Sequence, residues 1–387
     1  MPKDTKKIAI IGGGASGVAA ALTLANRGAS VTIFERNERL LAKFITTGNG
    51  KGNLANANVS SSCYNHGEKI EKHLPYLYSE VVNFYKSHGV ALFLDEVGRL
   101  YPYSKNAKAS ASILISKLED LGVDIRLNTN VDSVSKKGTG FLVNNEYFDY
   151  LILSVGSSAS ISSVPLDNNN STLLSSLALE TTSLVPVLGA IKVKENLFSI
   201  ENERRDISMS LYKDGRLLAT EIGEVHFRKN ALSGVITFII SSHLVWAYKI
   251  DSKAKHDIRI NFLSSMSEKE IKEVLKLDNP IRSLFSERIA HYLEGRMKKD
   301  KISLSNTLTN LSFTPIIKNG ALFNHVTNGG VKLELIDLDT LSSTKDSHLF
   351  VVGEVLDIDG LCGGYNLMFA IYSGIVAARH ILTEVVN

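Results

Sequence analysis

Three glycines, Gly12, Gly14 and Gly17, stand at GxGxxG spacing in KKIAIIGGGASGVAAALTLANRGASVTIFER, and an acid, Glu35, closes the stretch. This set suits one task, holding the pyrophosphate and ribose of an adenine dinucleotide. Gly12 permits a tight turn, Gly14 lets backbone N–H groups approach the phosphates, and Gly17 lets a helix pack close to a strand. A carboxylate at Glu35 accepts hydrogen bonds from ribose hydroxyls and repels a 2′-phosphate. The helix N-terminus favours an anion by about 0.3–1 kcal/mol, which gives direction rather than the whole affinity.

A second stretch, TTGNGKGNLANAN from Thr46 to Asn58, is too polar for a core. A phosphate loop of the GxxxxGK[ST] kind would need Gly at position 45 and Ser or Thr at 52, where Ile45 and Gly52 stand. Two readings remain. Gly and Asn suit a flexible linker. They also suit a loop at the carboxyl edge of an open sheet, where exposed amides become donors to a bound ligand.

The elements that must position these groups follow from the pattern. Ile8, Ile10 and Ile11 form a buried strand, Ala21 and Leu24 recur on one helical face, Gly28 ends that helix, and Val31, Ile33 and Phe34 form the next strand. The order is a βαβ unit. DYLILSVG, ending at Gly156, and HLFVVGEVLD read as further buried strands with glycines, Gly156 and Gly353, at their ligand-facing ends; GGYN then opens a helix, NLMFAIYSGIVAARHI. Between them, VLGAIKVKE, DISMSLYKDGRLLATEIGEVHF, GVITFIIS and HDIRINFL read as strands with a hairpin at Asp214-Gly215, whereas SEKEIKEVLKL and SLFSERIAHYLEGRMKK show helical spacing with a Ser cap. The chain is therefore expected to leave the nucleotide fold, build an insertion and return.

Composition narrows the function class. With 387 residues, the chain exceeds the size of one hydrophobic core. A net charge of +3 without any run of five basic residues argues against nucleic acid as a partner. The most apolar segment, GVITFIISSHLVWAY from Gly234, is interrupted by Ser241, Ser242 and His243, short of the ~18 apolar residues of a membrane span, and is read as a buried strand. No membrane association is expected, and Ile8 to Ile11 are too few for a signal peptide, which implies the cytoplasm. Cys63 and Cys362 lack any CxxC spacing, and no HExxH or clustered ligand pattern suggests a metal.

KFITTGNGKGNLAN resembles the K-x-L-x-[ST]-G-x-G-R-C-N-x-[ST]-N segment of the flavoprotein family that includes the aminoacetone oxidases and the BaiN-type bile-acid reductases. VTNGGVKLELIDLDTLSSTKDSHLFVVGEVLDIDGLCGGYNLMFAIYSG, GRLYPYS from Gly98 and TSLVPV from Thr182 resemble later segments of the same family, in the same order. The resemblance implies an α/β fold: a discontinuous Rossmann-like FAD-binding domain (1–182 and 327–387), an inserted β-barrel-like domain (183–262), a small helical subdomain (263–312) and a return segment (313–326). It implies FAD held by Gly12, Gly14, Ala15, Ser16, Gly17, Glu35, Arg36, Lys43, Thr47, Gly48, Asn53, Val131, Gly156, Gly353, Glu354, Asp357, Gly363, Gly364, Asn366 and Leu367.

The chain departs from the family pattern at Lys51-Gly52, in place of Arg-Cys, and at Arg228-Lys229, in place of Thr-His; Lys does not reproduce a planar Arg contact. Substrate identity is thereby less fixed than cofactor identity. Tyr365, Asn366 and Arg99 are the candidate catalytic residues, with Tyr101 lining the substrate space and His325 as a possible proton donor. A second GxGxxG is missing, so either NAD(P)H docks transiently or the substrate itself supplies electrons. Three functions follow: an FAD-dependent oxidoreductase on a small molecule, either amine oxidase or NAD(P)H-dependent reductase; a redox sensor or scaffold with structural flavin; and an FAD-dependent tRNA-modifying enzyme. The last lacks the expected basic patch and paired cysteines.

Overall fold

Strand β1 (Lys7–Ile11) is apolar without alternation, as a strand covered on both faces must be, and it has parallel partners on either side. The computed structural model describes residues 6–157, 168–317 and 321–386. They fall into two compact units, Met1–Leu184 with Val326–Asn387, and Val185–His325.

In the first unit, α1 (Ala15–Ala25) returns the chain to β2 (Ser30–Phe34), parallel to β1. Next come β3 (Ala55–Asn56), α2 (Leu74–Ser87), β4 (Leu92–Leu94) and β5 (Arg99–Pro102); the three strands form a small antiparallel sheet in the order β3-β5-β4. Helix α3 (Ala107–Asp120), capped by the Asn106 side chain on the Ala109 N–H, leads to β6 (Asp124–Arg126) beside β2. An antiparallel meander, β7 (Val134–Lys137), β8 (Gly140–Val143) and β9 (Glu146–Phe148), precedes β10 (Tyr150–Leu153), which flanks β1 on its other side. Helix α4 (Asn168–Ser176) follows.

The second unit holds β11 (Val185–Lys192), β12 (Arg204–Lys213), β13 (Arg216–Arg228), β14 (Ala231–Ser233), α5 (Val235–Ile250), β15 (His256–Asn261), α6 (Glu268–Val274), α7 (Pro280–Leu284), α8 (Glu287–Asp300), α9 (Leu304–Thr309), β16 (Leu311–Phe313) and the part of β17 (Ala321–Asn328) up to His325. Its sheet runs β16-β15-β12-β13-β14-β11-β17. A bridge between Val193 and Pro315, just past β11 and β16, curls the sheet toward closure. Asp214-Gly215 makes the expected hairpin, with Lys213 opposite Arg216.

One expectation is corrected here. The run from Gly234 is a helix, not a buried strand. A continuous apolar run does not reveal its own period, and the helical register emerges only from what is buried: Ile236, Thr237, Ile240, Ser241, Leu244 and Val245 pack inward. Gly234, at φ 110°, turns the chain from β14 into that helix.

The chain then re-enters the first unit through β18 (Ser342–Ser343), β19 (Asp346–Val351) and the 22-residue α10 (Tyr365–Val386). The main sheet is β18-β19-β10-β1-β2-β6, parallel apart from β18. Because β2 leaves β1 on one side and β10 joins it on the other, the strand order reverses at the carboxyl end of β1, where open α/β sheets bind ligands. Helices α1 and α10 cross closely there: a Cβ on Gly374 would lie 2.2 Å from Ser16 O. Among the described residues, no helix is long and apolar enough to cross a membrane.

Candidate cofactor site

Three segments meet at the reversal point. The first is the glycine turn. A Cβ on Gly17 would lie 2.1 Å from Gly12 O, so only glycine permits the turn and helix to approach this closely. Gly14 is the opposite case: its φ is −76°, and a Cβ there would meet nothing within 4 Å. Its surface is open, and α1 starts beside it with no side-chain cap on its orphan amides. Ala15 is the first residue of α1, while Ser16, buried, spends its hydroxyl on Ser154 Oγ at 2.7 Å.

Glu35 is 7% exposed and braces this turn. Its Oε2 accepts from Gly13 N at 2.7 Å, and its Oε1 accepts from Asn37 N at 2.8 Å and Asn37 Nδ2 at 2.6 Å. Three N–H donors satisfy most of the lone pairs of a buried carboxylate and leave capacity for one more donor. Arg36 is exposed beside it. Val131, buried, lies on the loop that follows β6; that loop is tied to Glu35 O through Thr129 N at 2.9 Å.

The second segment is the polar stretch. It is ordered into a short 3₁₀ element, Phe44–Gly50, interrupted at Thr47, Gly48 and Asn49, and then joins β3. Thr47 Oγ1 donates to Phe44 O at 2.7 Å, and Gly52 N donates to Thr47 O at 3.0 Å. Asn53 Oδ1 is buried and has no hydrogen-bond partner among the described residues.

The third segment joins β19 to α10. A Cβ on Gly364, at φ 103°, would lie 2.6 Å from Ala55 O and 2.7 Å from Asn53 Oδ1. Asn56 Nδ2 donates to Gly363 O at 3.0 Å, 307 positions away. Lys43 Nζ meets Glu354 Oε2 at 2.6 Å, and Glu354 Oε1 accepts from Ser157 Oγ at 2.6 Å, one residue after Gly156. Gly353 N donates to Ser373 Oγ at 2.9 Å. Residues from both ends of the chain thus line one region.

Several expected site residues make hydrogen bonds that brace the loops. Asn366 bridges its own turn, accepting from Gly360 N at 2.8 Å and donating to Gly360 O at 2.7 Å. Tyr365 is buried, and its hydroxyl donates to Asn58 O at 2.8 Å; burial pushes this phenol up, as it does that of Tyr64, against which Tyr365 packs edge-on. Asp357 is also turned inward: Thr182 Oγ1 donates to it at 2.7 Å, Asn65 Nδ2 at 3.2 Å, and His66 Nε2 lies 3.7 Å away. The Asp357 carboxylate raises the His66 pKa, against the opposing effect of burial. Leu367 packs on the core of this unit.

Arg99 lies on β5 directly opposite Asn56 on β3. Its charge acts on the Cys362 thiol, which burial pushes up. Both cysteines are free, and Leu361 N donates to Cys63 O at 2.9 Å, so their segments are neighbours. His325 lies in the second unit, in a ring contact with Phe238; Arg228 ends β13 there, and Lys229 stands over the Phe198 ring. Among the described residues no cluster of three or more His, Cys, Asp or Glu side chains could hold a metal ion. Sequence reasoning assigned Asn56, Ser157 and Thr182 no site role. Asn56 stands in the polar stretch itself, three residues after Asn53, and Thr182 opens the family-like TSLVPV, whereas Ser157 has no local signal.

The profile of the HI0933-like protein Rossmann domain matches residues 6–380. The chain belongs to this family. The HI0933-like chain is 29% identical over 406 residues to the 3-dehydro-bile acid delta(4,6)-reductase of Clostridium scindens, which covers 96% of this chain and 98% of that one. It is 24% identical to the ribosomal RNA dihydrouridine synthase of Escherichia coli K12, over 96% of this chain and 97% of the other. The 3-ketosteroid delta1-dehydrogenase from Sterolibacterium denitrificans shares the fold, with a TM-score of 0.56, 11% identity, and coverage of 98% of this chain and 100% of that one.

Proposed function

We propose that this HI0933-like chain is an FAD-dependent reductase that adds hydrogen across a carbon–carbon double bond conjugated to a carbonyl in a small organic substrate, with NAD(P)H as a transient donor. An oxidoreductase is what the named relatives support. The observation that carries the cofactor reading is the meeting of Asn53 and Asn56 with Gly363 and Gly364, segments from opposite ends of the chain.

The residues present fit FAD. The uncapped amides of α1 and the open Gly14 surface suit a pyrophosphate. The remaining acceptor capacity of Glu35 suits a ribose hydroxyl. Asn53 Oδ1, buried and unpaired, suits an N–H donor such as the imide of a flavin ring. Backbone amides of the Gly363-Gly364 turn at the start of α10 would favour negative charge on that edge. Lys43 and Glu354, paired across the site, keep its wall closed between them. The flavin supplies the hydride acceptor and donor when bound, and this chain supplies position and charge.

Reduction is preferred to amine oxidation because the relatives' names point to it: one is a 3-dehydro-bile acid delta(4,6)-reductase, the other a ribosomal RNA dihydrouridine synthase. Anaerobic titration of purified protein tests this. Bleaching of the flavin bands by NADH or NADPH and their return on adding 2-cyclohexen-1-one support the reductase. Bleaching by amines alone, with peroxide formed in air, would replace it with an oxidase.

The names of the Escherichia coli and Haemophilus influenzae relatives favour a second reading, in which the reduced group is a base of RNA. Against it stands the small net charge and the lack of a basic run. Binding of a uridine oligomer at 50 mM salt that weakens steeply at higher salt would favour it.

A further inference from the structure

The small sheet β3-β5-β4 has two unlike faces. Ala55 lies opposite Leu100, and these side chains enter the core. Directly paired residues in antiparallel strands share a face, and residues two apart share it too. Asn56 opposite Arg99, and Phe93 opposite Tyr101, therefore all lie on the other face. From it Asn56 reaches Gly363 O, so that face is turned to the Gly363-Gly364 loop at one end.

Along that face Phe93 and Tyr101 stack with centroids 5.6 Å apart and planes 22° apart, and Lys105 lies over the Phe93 ring at 5.0 Å. The Arg99 guanidinium makes no hydrogen bond or ion pair with a described residue. Asp95 Oδ1 accepts from the backbone N–H groups of Val97 and Arg99, and no ion pair joins the Asp95 carboxylate to the Arg99 side chain. The Tyr101 hydroxyl likewise has no hydrogen-bond partner among the described residues, while its ring stacks on Phe93.

We propose that this face is the substrate platform, and that it selects planar conjugated acids: the ring system lies against Tyr101 and Phe93 while a carboxylate or carbonyl oxygen takes the Arg99 guanidinium. This rests on the reductase reading, whose substrate must present a flat conjugated system to the turn at Gly363. A planar fork donor matches a carboxylate bidentately, and an aromatic pair accepts any flat π system. Specificity for the acid therefore resides in Arg99, and general affinity in Tyr101.

Isothermal titration of purified protein with 2-naphthoate and with neutral 2-naphthamide tests it, because heat of binding is read whether or not flavin turns over. Wild type should bind naphthoate about tenfold more tightly than naphthamide. Arg99→Met should abolish that preference while leaving naphthamide affinity within about threefold, and Arg99→Lys should restore part of it. Tyr101→Leu should weaken both probes by about fivefold and keep the preference. An unchanged preference in Arg99→Met, or no binding of either probe to yellow wild-type protein, would overturn the platform and leave the cofactor reading standing. Colourless protein that still binds naphthoate through Arg99 would uphold the platform and remove the flavin.

Discussion

Asn56 on β3 donates its side-chain amide to the carbonyl of Gly363, 307 positions later, at 3.0 Å, and its own Oδ1 accepts from Asn58 N at 2.9 Å. One buried side chain thus sets the polar stretch and the turn before α10 in a fixed relation. Asn56→Ala leaves both backbone groups unpaired and should cost about 1–3 kcal/mol in urea unfolding. It should also loosen FAD, with faster loss of yellow colour on gel filtration. Unchanged stability and flavin content would show that the two segments are held by other contacts.

Gly14 and Gly17 separate fold from ligand. Gly14→Val adds a side chain in open space at a backbone angle that valine accepts, so thermal stability of the apoprotein should change by less than about 1 kcal/mol while FAD retention is lost. Gly17→Val drives a Cβ into Gly12 O and should destabilise the fold itself by about 3 kcal/mol or more. Retained flavin in Gly14→Val would contradict the placement of the pyrophosphate.

Much of this was legible in the sequence, and the one expectation that the structure overturns has a physical cause. GxGxxG with Glu35 gives the βαβ unit because strand, turn and helix are contiguous and each residue type has one local job. The stretch from Gly234 misled because apolar residues without alternation suit a buried strand and a buried helix equally. Tyr365 and Asp357 stand in a recognisable segment, yet which groups their side chains meet depends on partners far away in the chain, Asn58 and Thr182.

Lys43 and Lys51 should behave differently although both belong to KFITTGNGKGNLAN. Lys43 is 45% exposed and pairs with Glu354, which retains Ser157 and Thr327 N as donors, so Lys43→Met should cost at most about 1 kcal/mol of stability. It should nevertheless speed FAD release, measured by fluorescence of the freed flavin. Lys51 is exposed, and Lys51→Ala should leave FAD retention as in wild type. Equal release rates in the two variants would place neither residue at the cofactor.

His66 gives a pH dependence with a definite sign. Its folded pKa is raised above the ordinary value of 6.5 by Asp357, so protonation favours the folded state. The stabilisation is full below about pH 6.5 and is lost as pH rises through the raised folded value. His66→Gln should therefore narrow the stability difference between pH 6 and pH 8 in urea titrations. A variant whose difference is unchanged would show that the pair contributes nothing.

Flavin content of the purified protein is the most direct test of whether both ends of the chain clasp one cofactor. Heat-released flavin, identified chromatographically, should be FAD at about one equivalent per chain, and should fall well below that in Gly14→Val. Colourless protein that stays empty after incubation with excess FAD would contradict it.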